Sequence, residues 1–386
     1  MSRILALLVA LVWALGSGTT FAAEPIKIGL MTPYSGPFAN IGKLVDAGAR
    51  AWLKANGDTV AGRKIEIITR DTTGPAPAVG KRLAQELVVR DHVDFLMIGG
   101  FTPDTLTAGS IATAAKKPLL IVNASSTNLP EKIPYGVRYA FSFRQIARPL
   151  GVWAAKHGYK RMVTLTTDYG PGIDCENAFK DGFTSGGGTI VDSVRTPLKS
   201  PEFGPFIQKV KDARPDAFFV WVPAGDQALG VIKTYFERGL DKAGIKLVIM
   251  GDDMDETVIK AMGDKVKGVV TALHYSNAHS SAENKKFLKG FAEVTGGSME
   301  PTFMSVAAYD GLTAIAEAVK RQNGDLSDSA KTMAILSSLQ FESPRGKIAI
   351  DAQTRDITQA VYIRRVEMHG GKLENVEFET IPEVKP

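Results

Sequence analysis

The sequence has few of the side chains that carry redox and metal chemistry. Its 386 residues include one cysteine, Cys175, and five histidines. One cysteine excludes an internal disulfide, and a lone thiol in a folded protein is most often a small buried apolar side chain. Only His274 and His279 lie near each other along the chain, and their spacing in a loop-like segment is a weak metal signal. The sequence therefore predicts neither a metal site nor a cofactor.

Catalytic signatures are also missing. The sequence contains no Walker A motif, no G-x-S-x-G nucleophile turn and no H-E-x-x-H zinc helix. The triplet Gly186–Gly188 precedes a predicted strand, whereas a dinucleotide-binding turn follows one. An α/β enzyme is the main alternative class, and a signalling ligand sensor would need an output domain or partner that the chain does not reveal. We expect no catalytic residues.

Basic residues are not concentrated in a stripe. Lys and Arg total 46 against 41 Asp and Glu, a net charge of +5, and the two signs are interspersed along the chain. Binding to the phosphates of nucleic acid requires clustered positive charge. Nucleic acid is therefore not an expected partner.

Long apolar runs are absent after the first 23 residues. That first segment has Arg3, an apolar run from Ile4 to Gly16 and small residues at Ala22 and Ala23, which is the pattern of a secretory signal peptide. The run is shorter than the roughly 20 residues that a membrane-spanning helix needs. We therefore expect residues 1–23 to be a signal peptide that is cleaved on export.

From Pro25 onward, short β-branched runs alternate with segments whose apolar residues recur at helical spacing. The predicted strands are 26–31, 64–69, 93–98, 118–122, 161–166, 188–195, 216–221, 245–250, 268–273, 346–351, 360–367 and 372–379. The predicted helices are 41–56, 76–90, 105–115, 148–157, 173–185, 203–213, 226–238 and 256–262. This alternation predicts an α/β fold with doubly wound parallel sheets. Ligands of such sheets bind beyond the carboxyl ends of the strands.

Chain length and two interruptions predict two lobes. About 360 residues are more than one core usually holds. The alternation pauses in the aromatic and basic stretch Arg138–Arg144 and again at Ser276–Ser281, after which helices follow without strands. A third crossing is expected near Asp351–Asp356, and His369–Gly371 predicts a hairpin turn. We predict a monomer with an N-terminal lobe of residues 24–143 plus 276–353 and a C-terminal lobe of residues 144–275 plus 354–386.

Ordered landmarks along almost the whole mature chain carry a family resemblance. They are Ile26–Gly29, Thr32, Pro33, Ser35–Pro37, Ala39, Gly42, Gly48, Ala49, Asn56, Gly62–Ile65, Ala84–Asp91, Val93, Gly99–Gly100, Ala124–Thr127, Asp168–Gly170, Phe203–Ile207 and Gly251–Asp253. Their combination closely resembles the leucine/isoleucine/valine (branched-chain amino acid) solute-binding proteins of periplasmic ABC importers. The resemblance implies the type I periplasmic-binding-protein fold, with two lobes joined by three crossover strands. It also implies a small-molecule solute as ligand, a periplasmic location, and an ABC permease at the inner membrane as the partner.

The loop after the third predicted strand is the first candidate ligand-binding segment. It ends at a helix start, where backbone amides without helical partners and the positive end of the helix dipole favour a carboxylate. Phe101, Thr102 and Thr105 are the candidate residues in this loop. Thr102 or Asp104 acting only as a helix cap is an equally good interpretation.

The loop after the fourth predicted strand is the second candidate segment. It matches the loop that contacts the ligand in the family, and its residues Ala124, Ser125, Ser126 and Thr127 are therefore candidates. Small hydroxyl residues are also ordinary turn formers, so a purely structural role stays open.

The second lobe contributes one aromatic and two acidic candidates. Tyr169 follows a strand, where the family places an aromatic that contacts the ligand. Asp253 lies after another strand, where amino-acid binders present an acid to the ligand's ammonium, although its spacing to Glu256 also fits a helix cap. Asp226, which follows a short Pro-Ala-Gly segment, is a weaker candidate of the same kind.

Two departures from the family leave the ligand open. Ile41 stands where branched-chain amino-acid binders commonly have an aromatic residue, and Phe101–Pro103 replaces their serine-rich loop. The resemblance favours an amino acid. Because the same family accepts aromatic acids, amides and urea derivatives, these ligands are the alternatives.

Overall fold

The computed structural model describes residues 24–199 and 201–386, so the predicted signal peptide lies outside the described residues. Its strands are β1 (Ile26–Thr32), β2 (Thr59–Val60), β3 (Arg63–Asp71), β4 (Phe95–Ile98), β5 (Leu119–Ile121), β6 (Gly136–Arg138), β7 (Arg161–Thr167), β8 (Thr189–Thr196), β9 (Ala217–Trp221), β10 (Lys246–Met250), β11 (Val270–Leu273), β12 (Gln340–Ser343), β13 (Gly346–Asp351), β14 (Asp356–His369) and β15 (Lys372–Val384). Its α-helices are α1 (Ala39–Asn56), α2 (Pro77–Val89), α3 (Thr102–Ala114), α4 (Phe143–Lys156), α5 (Gly170–Ser185), α6 (Phe203–Asp212), α7 (Asp226–Glu237), α8 (Glu256–Met262), α9 (Ala282–Thr295), α10 (Phe303–Arg321) and α11 (Ser329–Leu336).

The strands form two sheets. The first has the order β2-β3-β1-β4-β5-β6, and its pairings are parallel except for the short edge strand β2. The second has the order β12-β13-β14-β11-β10-β9-β7-β8, with β15 paired to β14. Its strands β7 to β11 pair in parallel, and β12 to β15 add antiparallel pairings at one side. This is the α/β architecture that the alternating sequence predicts.

Alternate residues of the central strands belong to different hydrophobic cores. In β4, Phe95 and Met97 join one buried cluster, whereas Leu96 and Ile98 join another. In β9, Phe219 belongs to the first of these clusters and its neighbours belong to a third. Successive side chains of a strand point to opposite faces, so both faces of each sheet are covered by apolar side chains. A central strand buried in this way reads as a continuous apolar run, as β4 does.

Three predicted details differ from the structure. The short strands β2, β6 and β12 were not expected from the sequence, because two to four residues are too few to display a strand period. Helix α4 starts at Phe143, five residues before its predicted start at 148, since Ser142 and Gln145 form a reciprocal capping box that fixes the earlier start. Strand β14 starts at Asp356, four residues before its predicted start at 360.

Three segments of the described residues, called here the passages, link the two sheets and the elements packed on them. The first passage is residues 139–142, between β6 and α4, and the second is residues 274–281, between β11 and α9. The third is β14, a strand of the second sheet whose first residues pair with β13 and whose residues Tyr362–Arg365 pair with β11. The backbone N–H of Arg138 in β6 donates to the Arg355 carbonyl, just before β14, at 3.1 Å. The predicted hairpin between β14 and β15 is present, with Gly370 and Gly371 at positive φ of 58° and 88°.

Arg138 ties the first passage to the third. Its side chain is fully buried, and its Nε donates to Asp356 Oδ1 at 2.8 Å. Its Nη1 donates to the carbonyl oxygens of Ser126 at 2.7 Å and Ala124 at 3.3 Å. A buried guanidinium needs such partners for each of its donors. Arg138 therefore holds the loop after β5 against the start of β14.

A second buried arginine, Arg345, holds the first passage from the other side. Its Nε donates to Asp310 Oδ2 at 2.9 Å, and the two side chains are both fully buried. Its Nη groups donate to the carbonyl oxygens of Tyr139 and, at 3.2 Å, Ala140. The first two residues of this passage are therefore held by charge-assisted hydrogen bonds from Arg345.

Cys175 is fully buried in α5, in agreement with its predicted role as a small apolar side chain, and burial raises the pKa of its thiol. No helix in the described part of the chain has the length and apolar character needed to cross a bilayer.

Candidate ligand-binding site

The carboxyl ends of strands from both sheets meet around one cavity of about 60 Å³, called here the inner cavity. It is lined by Ile41, Gly100, Phe101, Thr102, Asn123, Ala124, Ser125, Phe141, Phe143, Tyr169, Pro171, Trp221, Pro223, Ala224, Asp252, Phe303 and Met304. A single water needs roughly 10–15 Å³, so this space corresponds to about four to six waters. Its position is the one expected for a ligand of parallel sheets.

The first sheet supplies a polar wall. Helix α3 begins at Thr102, directly after β4, and Phe101 provides no side-chain cap for its first turn. The Oγ atoms of Thr102 and Ser126 lie 3.1 Å apart, and Ser125 donates from its Oγ to the Asn123 carbonyl at 2.6 Å. Hydroxyls and the positive end of a helix therefore converge at this wall, which is an arrangement suited to a carboxylate.

Aromatic rings form much of the remaining wall. The rings of Phe143 and Trp221 meet edge to face, with centroids 4.8 Å apart and planes at 72°. Tyr169 lies nearly parallel to Trp221 at 6.1 Å, with 17° between the planes. Phe141 packs edge to face against both Phe143, at 6.0 Å, and Phe303, at 5.8 Å. These are the geometries that aromatic rings prefer, so an aromatic ligand would extend an existing cluster of rings.

The second sheet supplies one acid to the inner cavity. Asp252 follows β10 and is 5% exposed, and its Oδ2 accepts a hydrogen bond from Trp221 Nε1 at 2.9 Å. Burial raises the pKa of Asp252 to about 6, and the Trp221 indole opposes that shift by hydrogen bonding to the charged form. At pH 7 and above the side chain is mostly ionised and acts as a hydrogen-bond acceptor.

Five of the ten predicted ligand-binding residues line the inner cavity. They are Phe101, Thr102, Ala124, Ser125 and Tyr169. They come from the loops after β4, β5 and β7, so the structure brings together residues that are up to 68 positions apart in the sequence.

Three other predicted residues, Thr105, Ser126 and Thr127, do not line the inner cavity and contact neighbouring residues instead. Ser126 supports the Thr102 hydroxyl. Thr105 is fully buried, and its Oγ1 donates to the Phe101 carbonyl at 2.9 Å. The backbone N–H of Thr127, in the loop after β5 of the first sheet, donates to Asp174 in α5, the helix after β7 of the second sheet.

The two predicted acids lie away from the inner cavity. Asp226 is exposed at the start of α7 and lines a second, larger space described below. Asp253 is fully buried, and its Oδ2 accepts from the Val222 backbone N–H at 2.9 Å. Burial raises the pKa of Asp253, with the Asp252 charge adding to the effect. The place in the cavity wall that the sequence interpretation gave to Asp253 is occupied by its neighbour Asp252.

Sequence reasoning did not select several residues of the inner cavity. Trp221 ends a correctly predicted strand, and Phe143 lies in the aromatic stretch that marked the first crossing, so both carried a usable signal. Phe303 and Met304 start α10 and reach the cavity through long-range packing, for which the sequence offers no local signal.

A second space of about 600 Å³, called here the outer chamber, lies beside the inner cavity. Ala224 lines both spaces, and Phe38 of the outer chamber packs edge to face against Phe101 with centroids 4.8 Å apart. The chamber is lined by Pro37, Phe38, Thr73–Ala76, Leu198, Lys199, Pro201, Phe203, Ala224, Asp226, Gln227 and Gly230. Residues from both sheets therefore also flank the space outside the inner cavity.

Comparison with known proteins agrees with this architecture. The sequence profile of the periplasmic binding protein family matches residues 25–372. The Leu/Ile/Val-binding protein homolog 6 of Brucella melitensis biotype 1 is 36% identical over 377 residues, which cover 97% of this chain and 96% of that protein.

Two solved structures are also similar over 94% of this chain and 98% of theirs. One is the solute-binding protein of an ABC transporter from Rhodopseudomonas palustris BisB5 in complex with 3,4-dihydroxybenzoic acid, with 45% identity and a TM-score of 0.89. The other is the solute-binding protein of an ABC transporter from Rhodopseudomonas palustris HaA2 in complex with p-hydroxybenzoic acid, with 39% identity and a TM-score of 0.90. The fold and the family are those of solute-binding proteins, and the chain belongs to the periplasmic binding protein family of ABC transporters.

Proposed function

We propose that this protein captures a small aromatic carboxylate in the inner cavity and delivers it to an ABC permease. The observation that carries this proposal is the cavity wall itself. Hydroxyls and the start of α3 lie on one side, and the rings of Phe143, Tyr169 and Trp221 lie around the rest. A benzoate-like ligand has one anionic group and one flat apolar body, which are the two features that this wall matches.

The similar solute-binding proteins support an aromatic ligand. Two that are 39–45% identical to this chain hold hydroxylated benzoic acids. An amino acid is the second candidate, because the curated relative is named as a Leu/Ile/Val-binding homolog and because the acid Asp252 lines the cavity and could receive an ammonium group.

Isothermal titration calorimetry distinguishes the two candidates. The purified protein is titrated with benzoate, 4-hydroxybenzoate, 3,4-dihydroxybenzoate and leucine at one pH and temperature. The proposal expects binding of at least one aromatic acid, with leucine weaker by tenfold or more. Tight binding of leucine with no measurable heat from any aromatic acid would replace the proposal by the amino-acid function.

A pair of threonine variants on α3 tests the carboxylate end. Thr102→Val removes a hydroxyl that lies in the cavity wall, so it should weaken aromatic-acid binding by about 1–2 kcal/mol. Thr107→Val is the control, because Thr107 lies on the same helix and donates to the Pro77 carbonyl outside the cavity. Equal effects of the two changes would remove Thr102 from the site.

We further propose that capture proceeds by hinge closure between two lobes. The lobes are residues 24–143 with 276–353 and residues 144–275 with 354–386, and the three passages between the sheets act as the hinge. Ligand contacts from both sheets stabilise the closed form, which the permease then recognises. Small-angle scattering should give a smaller radius of gyration with saturating 4-hydroxybenzoate, and an unchanged radius would argue against closure.

We also propose that the mature protein is a periplasmic monomer. Residues 1–23 would direct export and be removed, in keeping with their apolar run and small residues. Mass spectrometry of protein recovered from a periplasmic extract should give a mature N-terminus at Ala23 or Glu24. Recovery with Met1 retained would contradict cleavage.

A further inference from the structure

One residue that lines the inner cavity has a carboxylate oxygen without a hydrogen-bond partner among the described residues. Asp252 lines the cavity and is 5% exposed, and its Oδ2 is satisfied by the Trp221 indole N–H. Its Oδ1 is buried and is the oxygen left without a partner. Leaving a buried charged oxygen unpaired is costly, and buried polar atoms in folded proteins usually have a partner. A donor on the bound ligand would complete this site.

The acids next to Asp252 have roles of their own. Asp253 accepts from the Val222 backbone N–H and does not line the inner cavity. Asp255 caps α8 by accepting from the backbone N–H groups of Thr257 and Val258, both at 3.0 Å. Asp252 is thus the acid of this segment that is placed to contact a ligand in the inner cavity.

Aromatic side chains connect Asp252 to the polar wall of the first sheet. The backbone N–H of Phe143 donates to the Ser125 carbonyl at 2.8 Å, and the Phe143 ring meets the Trp221 ring at 4.8 Å. Trp221 in turn donates to Asp252. Following these contacts, the path from Ser125 to Asp252 passes through two aromatic side chains. The hydroxyls of the first-sheet loops and Asp252 of the second sheet therefore line the same cavity, with aromatic rings in contact with both.

Resting on the proposed function, we propose that Asp252 is a specificity-determining residue whose Oδ1 accepts a hydrogen bond from a hydroxyl on the aromatic ring of the ligand. The preferred ligands are then phenolic carboxylic acids, with the carboxylate at the α3 end and the phenol at Asp252.

The raised pKa of Asp252 agrees with this role. At about 6 it leaves the side chain mostly ionised above pH 7, so Oδ1 can accept from a phenol. A ring with a methyl group, or with only hydrogen, at the same position would leave the charged oxygen buried without a partner, and the protein should discriminate against it.

Calorimetric titration with benzoate, 4-methylbenzoate and 4-hydroxybenzoate at pH 7.5 tests the proposal. Wild-type protein should bind 4-hydroxybenzoate about tenfold or more tightly than the other two acids, as expected for one hydrogen bond to a charged group. Asp252→Asn should reduce this preference to about threefold or less. Asp253→Asn is the matched control, since it alters a neighbouring buried carboxylate, and it should retain the wild-type preference.

Each outcome decides a separate question. Wild-type protein without a preference for 4-hydroxybenzoate, or an unchanged preference in Asp252→Asn, would overturn the role of Asp252 and leave the proposed aromatic-acid function standing. If none of the three acids binds, the proposed function itself fails. Thermal denaturation checks that the variants are folded. If Asp252→Asn does not fold, Asp252→Ser, which keeps an acceptor for the Trp221 N–H, takes its place with the same expected loss of preference.

Discussion

Replacing Tyr169 by alanine should weaken aromatic-acid binding by about 1–3 kcal/mol. Tyr169 lines the inner cavity and lies nearly parallel to Trp221 at 6.1 Å. One ring pair contributes about 0.5–1.5 kcal/mol beyond its buried area, and a ring face of roughly 40 Å² adds about 1 kcal/mol at 25 cal/mol per Å². The sum is about 1.5–2.5 kcal/mol, in the middle of this range, and corresponds to a loss of affinity of about 12- to 60-fold.

Calorimetric titration of 4-hydroxybenzoate at 25 °C measures this loss, and Tyr169→Phe is the control. The phenylalanine variant keeps the ring and removes the hydroxyl, so it should lie close to wild type if the ring face is the source of the affinity. A folded Tyr169→Ala variant with affinity within twofold of wild type would refute the reasoning. A Tyr169→Phe loss as large as that of Tyr169→Ala would transfer the role from the ring to the hydroxyl.

Three further predictions concern closure, stability and pH. Asp174→Ala removes the acceptor of the Thr127 N–H, a contact between the loop after β5 and helix α5, and should weaken ligand affinity by about 1 kcal/mol in the same titration. Asp181→Ala, at an exposed position on the same helix, is the control and should leave the affinity unchanged. Asp310→Ala leaves its buried arginine partner unpaired and should lower the free energy of unfolding by about 3–5 kcal/mol in urea denaturation, and a loss under 1 kcal/mol would contradict that pairing. Burial raises the pKa of Asp104 from an ordinary value of 3.8 to about 7. Between these pH values the folded state keeps a proton that the unfolded state releases. The free energy of unfolding therefore falls as pH rises from about 4 to about 7. Asp104→Asn removes this effect and should gain unfolding free energy relative to wild type between pH 5 and pH 8; a constant difference between the two proteins over that range would refute it.

Much of the fold could be predicted because its signals are local. Strand β4 is a continuous apolar run between turn residues, and α5 shows helical spacing after a glycine and a proline, so both were recognised from the sequence alone. Strand β6 has three residues and carries no period of its own. It forms because neighbouring β5 offers unpaired backbone groups, which is information that a local window does not contain.

The candidate site was less predictable because it depends on which way adjacent side chains point. Asp252 and Asp253 follow the same strand, and sequence reasoning chose Asp253 on the resemblance to amino-acid binders. In the structure Asp253 turns inward to the Val222 N–H and Asp252 lines the cavity. Neighbouring residues at a strand end project to different sides, and only the packed turn decides which side faces the cavity.

Phe303 could not be predicted for a different reason. It follows Asp253 by 50 positions in the sequence and lies at the start of α10. It reaches the inner cavity only because α10 packs against the rest of the fold, and no local pattern around Phe303 indicates that long-range contact.

The central claim is that the inner cavity between the two sheets holds an aromatic carboxylate, and a crystal structure of the protein with 4-hydroxybenzoate tests it most directly. We predict that the ligand carboxylate lies within hydrogen-bond distance of the first turn of α3 and the Ser125 hydroxyl, with the ring between Phe143 and Tyr169. A ligand found outside the inner cavity, or one with its carboxylate directed away from α3, would contradict the account.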